Sequence, residues 1–136
     1  MDHIDLSVYP GERFALLGHN GAGKTTLIKL MLGLCRPTRG DIWLLGQKYS
    51  GAGMGSVSVG YLPESVSFHD SMSGREVIRF YARLKGRDNK ECDELLEQVG
   101  LIAAAGQRVR TYSKGMRQRL GLAQAMLGIP SLLFLD

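Results

Sequence analysis

The chain has 136 residues, 44% hydrophobic and 22% charged, an ordinary globular composition with enough length to bury one core. No apolar run approaches the ~20 residues that cross a bilayer, and the opening MDHIDLSVYPGERF lacks the apolar centre of a secretory signal, so a cytoplasmic location is expected. The net charge of +4 invites a polyanion partner, but acids and bases alternate along most of the chain, and no nucleic-acid partner is expected. The exception is the basic stretch Arg108, Arg110, Lys114, Arg117 and Arg119, which reads either as an electropositive face or as a solvated helix surface. Cys35 and Cys92 stand far apart with no Cys-x-x-Cys pairing, which indicates neither a disulfide nor a zinc site.

In chain order, HIDLSV alternates apolar and polar residues as a half-buried strand does, and YPGE turns it. RFALLG is a denser apolar run that suits a buried strand, and the glycine-rich GHNGAGKTT follows it. TLIKLMLGL has helical spacing, with Gly33 and Pro37 marking its end, and DIWLLG reads as another strand. YSGAGMGSVSVG is a loop leading into the short strand VSVGYL. Its Gly51, Gly53 and Gly55 lack the G-x-G-x-x-G spacing of a dinucleotide fingerprint, and no helix follows directly.

Three helices come next. Ser73 and Glu76 form a capping-box pattern ahead of Val77, Ile78, Tyr81 and Leu84 on one face. Asp88 and Glu91 repeat the pattern ahead of Cys92, Leu95, Leu96 and Val99. After Ser113 a third helix runs through Leu120, Ala123, Gln124 and Leu127 until Gly128 and Pro130 end it, and SLLFL is a final buried strand that delivers Asp136. Strand, glycine loop, helix, strands, helical block and strand together predict an α/β core carrying a helical insertion.

Gly18 to Thr25 satisfies G-x-x-x-x-G-K-[ST], between an expected strand and an expected helix. Glycines let the backbone curl so that successive N–H groups face phosphate oxygens, and the helix start aims its positive dipole end at the same place. Gly18, Asn20, Gly21, Ala22, Gly23, Lys24, Thr25 and Thr26 are the expected nucleotide-binding residues. Lys24 supplies a cation for the β- and γ-phosphates, and Thr25 offers a hydroxyl to Mg²⁺. His19 occupies a variable position and reads as a bystander. By itself the loop specifies nucleotide binding, and a GTPase, a small-molecule kinase and a transporter ATPase would all carry it.

Two further stretches narrow the class. YSKGMRQRLGLAQAMLGIPSLLFLD closely resembles the signature helix and Walker B strand of ATP-binding-cassette (ABC) ATPases, and VGYLPE, residues 59 to 64, resembles their Q-loop. Tyr112-Ser113-Lys114-Gly115-Met116 stands where the family commonly has L-S-G-G-Q: Ser113 and Gly115 match, Lys114 and Met116 depart. Glu64 replaces the usual glutamine, so a carboxylate stands where an amide would link the metal region to the helical subdomain.

The resemblance implies a P-loop NTPase fold with an ABC-ATPase core and a helical subdomain. The nucleotide-binding core would be 1–63, the Q-loop and helical subdomain 64–112, and the signature helix and Walker B strand 113–136. It further implies ATP and Mg²⁺ as cofactors, with Thr25 and Asp136 toward the metal. Ser113 and Gly115 would cap the γ-phosphate bound by a second ATPase subunit in a head-to-tail dimer. The remaining partner would be a membrane permease, with the chain peripheral on the inner face of the cell membrane.

In the family the catalytic glutamate immediately follows the Walker B aspartate, and the adenine-stacking aromatic lies ~30 residues before the lysine. The chain is therefore expected to be truncated at both ends and to hydrolyse ATP poorly alone. GHNGAGKTT, GYLPESVSFHDSMSGREVIRFYARLKG and the signature segment resemble one branch more closely: the ATPase of the ABC system that matures the copper centres of nitrous-oxide reductase. A generic ABC-2-type drug or polysaccharide exporter is the alternative within transport. A soluble non-transport ABC protein or a non-hydrolysing regulatory module is the alternative outside it.

Overall fold

The computed structural model describes residues 3–48 and 58–136, which belong to two compact units. The loop expected over 49–57, with its three glycines, lies outside the described residues.

The first unit, 3–48, has little regular structure. YPGE turns as expected, with the Glu12 amide donating to the Tyr9 carbonyl at 3.1 Å and the Tyr9 amide to the Glu12 carboxylate at 2.8 Å. The strands expected on either side are absent. HIDLSV and RFALLG have no ladder partner among the described residues, and Phe14 and Leu17 are exposed, Leu17 at 93%. An apolar strand is stable only where neighbours take its backbone groups and cover its faces, and periodicity does not provide neighbours.

α1 spans Lys24–Met31. It closes as a Schellman motif: Gly33, left-handed at φ 72, donates to the Leu30 carbonyl, and the Leu34 amide donates to the Lys29 carbonyl at 2.9 Å. DIWLLG contributes only a two-residue strand, β1 (Trp43–Leu44), paired antiparallel with β2 (Gln47–Lys48).

In the second unit, β3 (Val59–Leu62) pairs in parallel with β4 (Leu132–Leu135), Tyr61 opposite Phe134 and Leu62 opposite Leu135. Between them in sequence come α2 (Gly74–Leu84), α3 (Lys90–Gln98) and α4 (Lys114–Met126), with 3-10 turns at Ile102–Ala104 and Val109–Thr111. One apolar cluster joins the three helices, centred on Val77, Ile78, Leu96, Leu101, Leu120 and Leu127.

α2 starts as its sequence dictates. The Glu76 amide donates to Ser73 Oγ, and the Ser73 amide donates to the Glu76 carboxylate at 2.7 Å. Three details differ from expectation. Leu84 is 67% exposed, because it is the last residue of α2 and the chain turns away at Lys85–Arg87. Ala82 is buried in the same helix. α3 begins one residue later than the Asp88/Glu91 pattern requires, with Asn89 at the cap and no side-chain bond; Asp88 instead pairs with Lys90 and Glu91 with Arg87. β4 is only partly buried: Phe134 is covered, but Leu135 is 57% exposed, since β3 is the one strand paired with it among the described residues.

Two cations tie the helices together through their C-terminal ends, where carbonyls lack intrahelical partners. Arg119 on α4 donates to the Val99 and Gly100 carbonyls at the end of α3, and Lys85 donates to the Leu127 carbonyl at the end of α4. Burial pushes the Lys85 ammonium below its ordinary pKa. α4 lies close on β3 because glycines face the contact. A methyl at Gly60 would run into the Ala125 carbonyl, and one at Gly121 would sit 2.7 Å from Leu62 Cδ1 and 2.9 Å from Val66 Cγ2.

Candidate nucleotide site

The candidate residues divide between the units: Gly18–Thr26 in the first, Tyr61–Glu64, Ser113–Gly115 and Asp136 in the second.

In the first unit the glycine loop has the backbone its composition calls for. Gly21 and Gly23 are left-handed, at φ 85 and φ 93, conformations that an L side chain resists. Gly18 closes tightly, a methyl there falling 3.1 Å from Ala22 Cβ, and the Ala22 amide donates to the His19 carbonyl. Lys24 Nζ donates to the Gly18 carbonyl at 2.7 Å and the His19 carbonyl at 3.0 Å, so the ammonium lies across the loop. His19 Nδ1 pairs locally with the Asn20 carbonyl.

Gly23 caps α1 without a side chain and no acid occupies the first turn. The first amide of that turn bonded inside the helix is that of Leu27, to the Gly23 carbonyl at 2.9 Å. A helix start of this kind presents partial positive charge undiminished by a carboxylate. Gly23, Lys24 and Thr25 are half-buried, whereas Asn20, Gly21, Ala22 and Thr26 are exposed.

In the second unit Ser113 caps α4, its Oγ accepting from the Met116 amide at 3.2 Å. The hydroxyl proton is a separate donor and is not consumed by that bond. Gly115 is exposed, and a methyl there would find only Ser113 Oγ, at 3.9 Å. The support behind the cap is firm. Tyr112 is buried and donates its hydroxyl to the Ala104 carbonyl at 2.7 Å, in a place that Gly74 leaves open for the phenol oxygen. Arg108 donates to the Ser71 carbonyl and reaches the Glu76 carboxylate at 3.4 Å, fastening the approach to Ser113 onto the start of α2.

Much of the basic stretch is thereby structural, a role neither reading of its sequence gives. Arg108 and Arg119 hold backbone carbonyls, and Arg117 is half-buried with its outer nitrogen on the Arg110 carbonyl at 3.4 Å. Its Nε is buried with no hydrogen-bond partner. Glu64 and Val66 face Tyr112, Lys114 and Arg117 across an open groove of about 620 Å³, so the Glu64 carboxylate and the basic start of α4 share one depression.

Asp136 follows β4. Its amide donates to the Leu62 carbonyl at 2.9 Å, continuing the parallel ladder, and Tyr61 donates its hydroxyl to Asp136 Oδ2 at 3.3 Å. The Tyr61 phenol is pushed above its ordinary pKa, first by burial and then by the neighbouring carboxylate. Asp136 and Thr25 both offer hard oxygen, which fits Mg²⁺. Among the described residues no cluster of three or more His, Cys, Asp or Glu forms a cage of its own. A metal held by one or two protein oxygens, with phosphate and water completing the shell, is how Mg²⁺ commonly binds beside nucleotides.

The family model described as ABC transporter matches residues 1–136. The chain belongs to the ABC transporter family. Its similarity runs to ATP-binding subunits. It is 44% identical over 138 residues to the ABC transporter ATP-binding protein YxlF of Bacillus subtilis (strain 168), covering 98% of this chain and 45% of that protein. To the bacitracin transport ATP-binding protein BcrA of Bacillus licheniformis it is 38% identical, covering 100% of this chain and 45% of that one. A solved ATP-binding subunit of an ABC transporter superposes with a TM-score of 0.70 at 30% identity, over 88% of this chain and 52% of that chain. The chain thus spans less than half the length of these two curated relatives. No helix among the described residues is long and apolar enough to cross a membrane.

Sequence reasoning passed over Tyr61 and Lys85, read Arg119 only as part of the basic stretch, and placed Tyr112 only as the first residue of the signature segment. Alternation along β3 and β4 would place Tyr61 on the face of Asp136, but only once the strands are known to pair in parallel at this register.

Proposed function

We propose that the chain is the nucleotide-binding part of an ABC transporter ATPase that binds Mg²⁺-ATP and, paired head to tail with a second subunit, drives a membrane permease. The observation that carries this reading is the loop Gly18–Thr25. Two left-handed glycines curl the loop, the helix start carries no acid to diminish its positive end, and the Lys24 ammonium lies across the loop on the Gly18 and His19 carbonyls. Gly18, Asn20, Gly21, Ala22, Gly23, Lys24, Thr25 and Thr26 hold the phosphates. Thr25 and Asp136, each assigned by its own motif, would supply oxygen to Mg²⁺, whose charge would offset that on the transferred phosphoryl group. Ser113 and Gly115 serve the partner subunit's nucleotide through a hydroxyl proton and an open backbone. Glu64, which lines a groove with Lys114, would accept a hydrogen bond from water on the metal.

Binding of a fluorescent ATP analogue tests the reading. Lys24→Ala should weaken affinity at least tenfold while leaving the thermal midpoint unchanged, because among the described residues Lys24 bonds only to loop carbonyls. Equal binding by the two proteins would overturn it.

Export is the direction implied by the sequence resemblance to exporter ATPases, and similarity to a bacitracin transport protein supports a transport role. The narrower cargo reading, a factor for the copper centres of nitrous-oxide reductase, is supported by the sequence resemblance between Gly60 and Leu127. Its test is copper loading of that reductase in a host lacking the gene.

A further inference from the structure

We propose that Tyr61 is a positioning residue for the metal: its hydroxyl holds Asp136 Oδ2 and so fixes the direction in which the Asp136 carboxylate presents itself to Mg²⁺. The inference rests on the proposed Mg²⁺-ATP site and adds a residue that the family motifs do not assign.

The argument starts from register. Tyr61 is opposite Phe134 in the parallel pair, and Asp136 is two residues beyond Phe134, on the same face of the ladder. The backbone at Asp136 is anchored separately, by its amide on the Leu62 carbonyl at 2.9 Å. What the ladder leaves undetermined is rotation of the side chain about its own bonds. A carboxylate has two oxygens with about four acceptor directions, and a donor at one oxygen sets where the other faces.

Tyr61 supplies that donor at 3.3 Å, from a ring long enough to span the diagonal between its own position and Asp136. The ring has little freedom to leave. Tyr61 is half-buried, and its neighbour Gly60 lies against the Ala125 carbonyl and Leu133, which clamps β3 under α4. Removing such outer partners of a metal ligand typically costs 10–100-fold in metal affinity.

The experiment compares affinities for ATP in EDTA and for Mg²⁺-ATP in the full-length protein, by equilibrium titration of a fluorescent analogue. Tyr61→Phe keeps the ring and removes the donor. The expected result is Mg²⁺-ATP binding weakened about tenfold, with metal-free ATP binding and the thermal midpoint unchanged. Asp136→Asn serves as the reference for loss of the ligand itself. If Asp136→Asn weakens Mg²⁺-ATP binding and Tyr61→Phe does not, the role of Tyr61 is overturned and the metal site stands. Loss of both affinities in equal measure in Tyr61→Phe also overturns it, since a packing role would act without regard to metal. If neither variant changes the metal-dependent difference, the assignment of Asp136 as a metal ligand falls as well.

Discussion

Residues 3–48 and 58–136 are both rich in apolar side chains, yet they use them differently. In the first unit Ile28 is the one buried hydrophobic side chain among the described residues, and Ile4, Phe14, Leu17 and Trp43 are exposed. In the second, fourteen buried residues form one cluster. The difference lies in where the partners are. α2, α3 and α4 are close in sequence and cover one another, with caps and carbonyl clamps drawn from the same eighty residues. The apolar runs of the first unit call for sheet neighbours that the described residues do not give them. Local helical contacts close at small entropic cost, while a strand depends on distant segments.

The sharpest way to break this contrast is Leu96→Ala. Leu96 is fully buried in the helical cluster, and its truncation should cost about 3 kcal/mol, read as a lowered urea midpoint with an unchanged slope. Gly60→Ala comes next, at about 2 kcal/mol, because its methyl meets the Ala125 backbone carbonyl, which cannot swing away, as well as the Leu133 side chain and the Pro130 ring.

Ser73→Ala should cost about 1 kcal/mol through the cap of α2. The same cap gives a pH signature. The Ser73 backbone amide, then its hydroxyl, then Arg108 hold the Glu76 carboxyl below its ordinary pKa. Its contribution is therefore complete above the unfolded value and disappears as pH falls through the folded one, and Glu76→Gln should flatten the acid limb of stability against pH. The smallest effect is expected in the first unit: Leu17→Ala should change stability by less than about 0.5 kcal/mol in the 136-residue chain. A cost approaching that of Leu96→Ala would show that the first unit has a core of its own.

How much was legible follows from the range of each signal. The capping box at Ser73, the end of α1 at Gly33, the glycine loop and the run from Ser113 to Leu127 are local patterns, and each forms where its residues stand. The cap before α3 failed by one residue because Asp88 and Glu91 had competing cations beside them, which spacing does not weigh. RFALLG failed because density of apolar residues was taken for burial. The roles of Arg108 and Arg119 were hidden for another reason. Charge on a helix suggests an exterior partner, and only packing reveals that the guanidinium reaches a neighbouring carbonyl.

The sequence by itself determined the family and the backbone of the glycine loop, since a G-x-x-x-x-G-K-T run curls at its glycines whatever surrounds it. It also determined the helices of the second unit, whose stop and start signals act over three or four residues. Tertiary structure alone decided which side chains meet across strands and helix ends: Tyr61 on Asp136, Lys85 on Leu127, Arg119 on Val99. Those contacts join residues 20 to 75 positions apart, and register and close packing at glycine, rather than any local preference, set them.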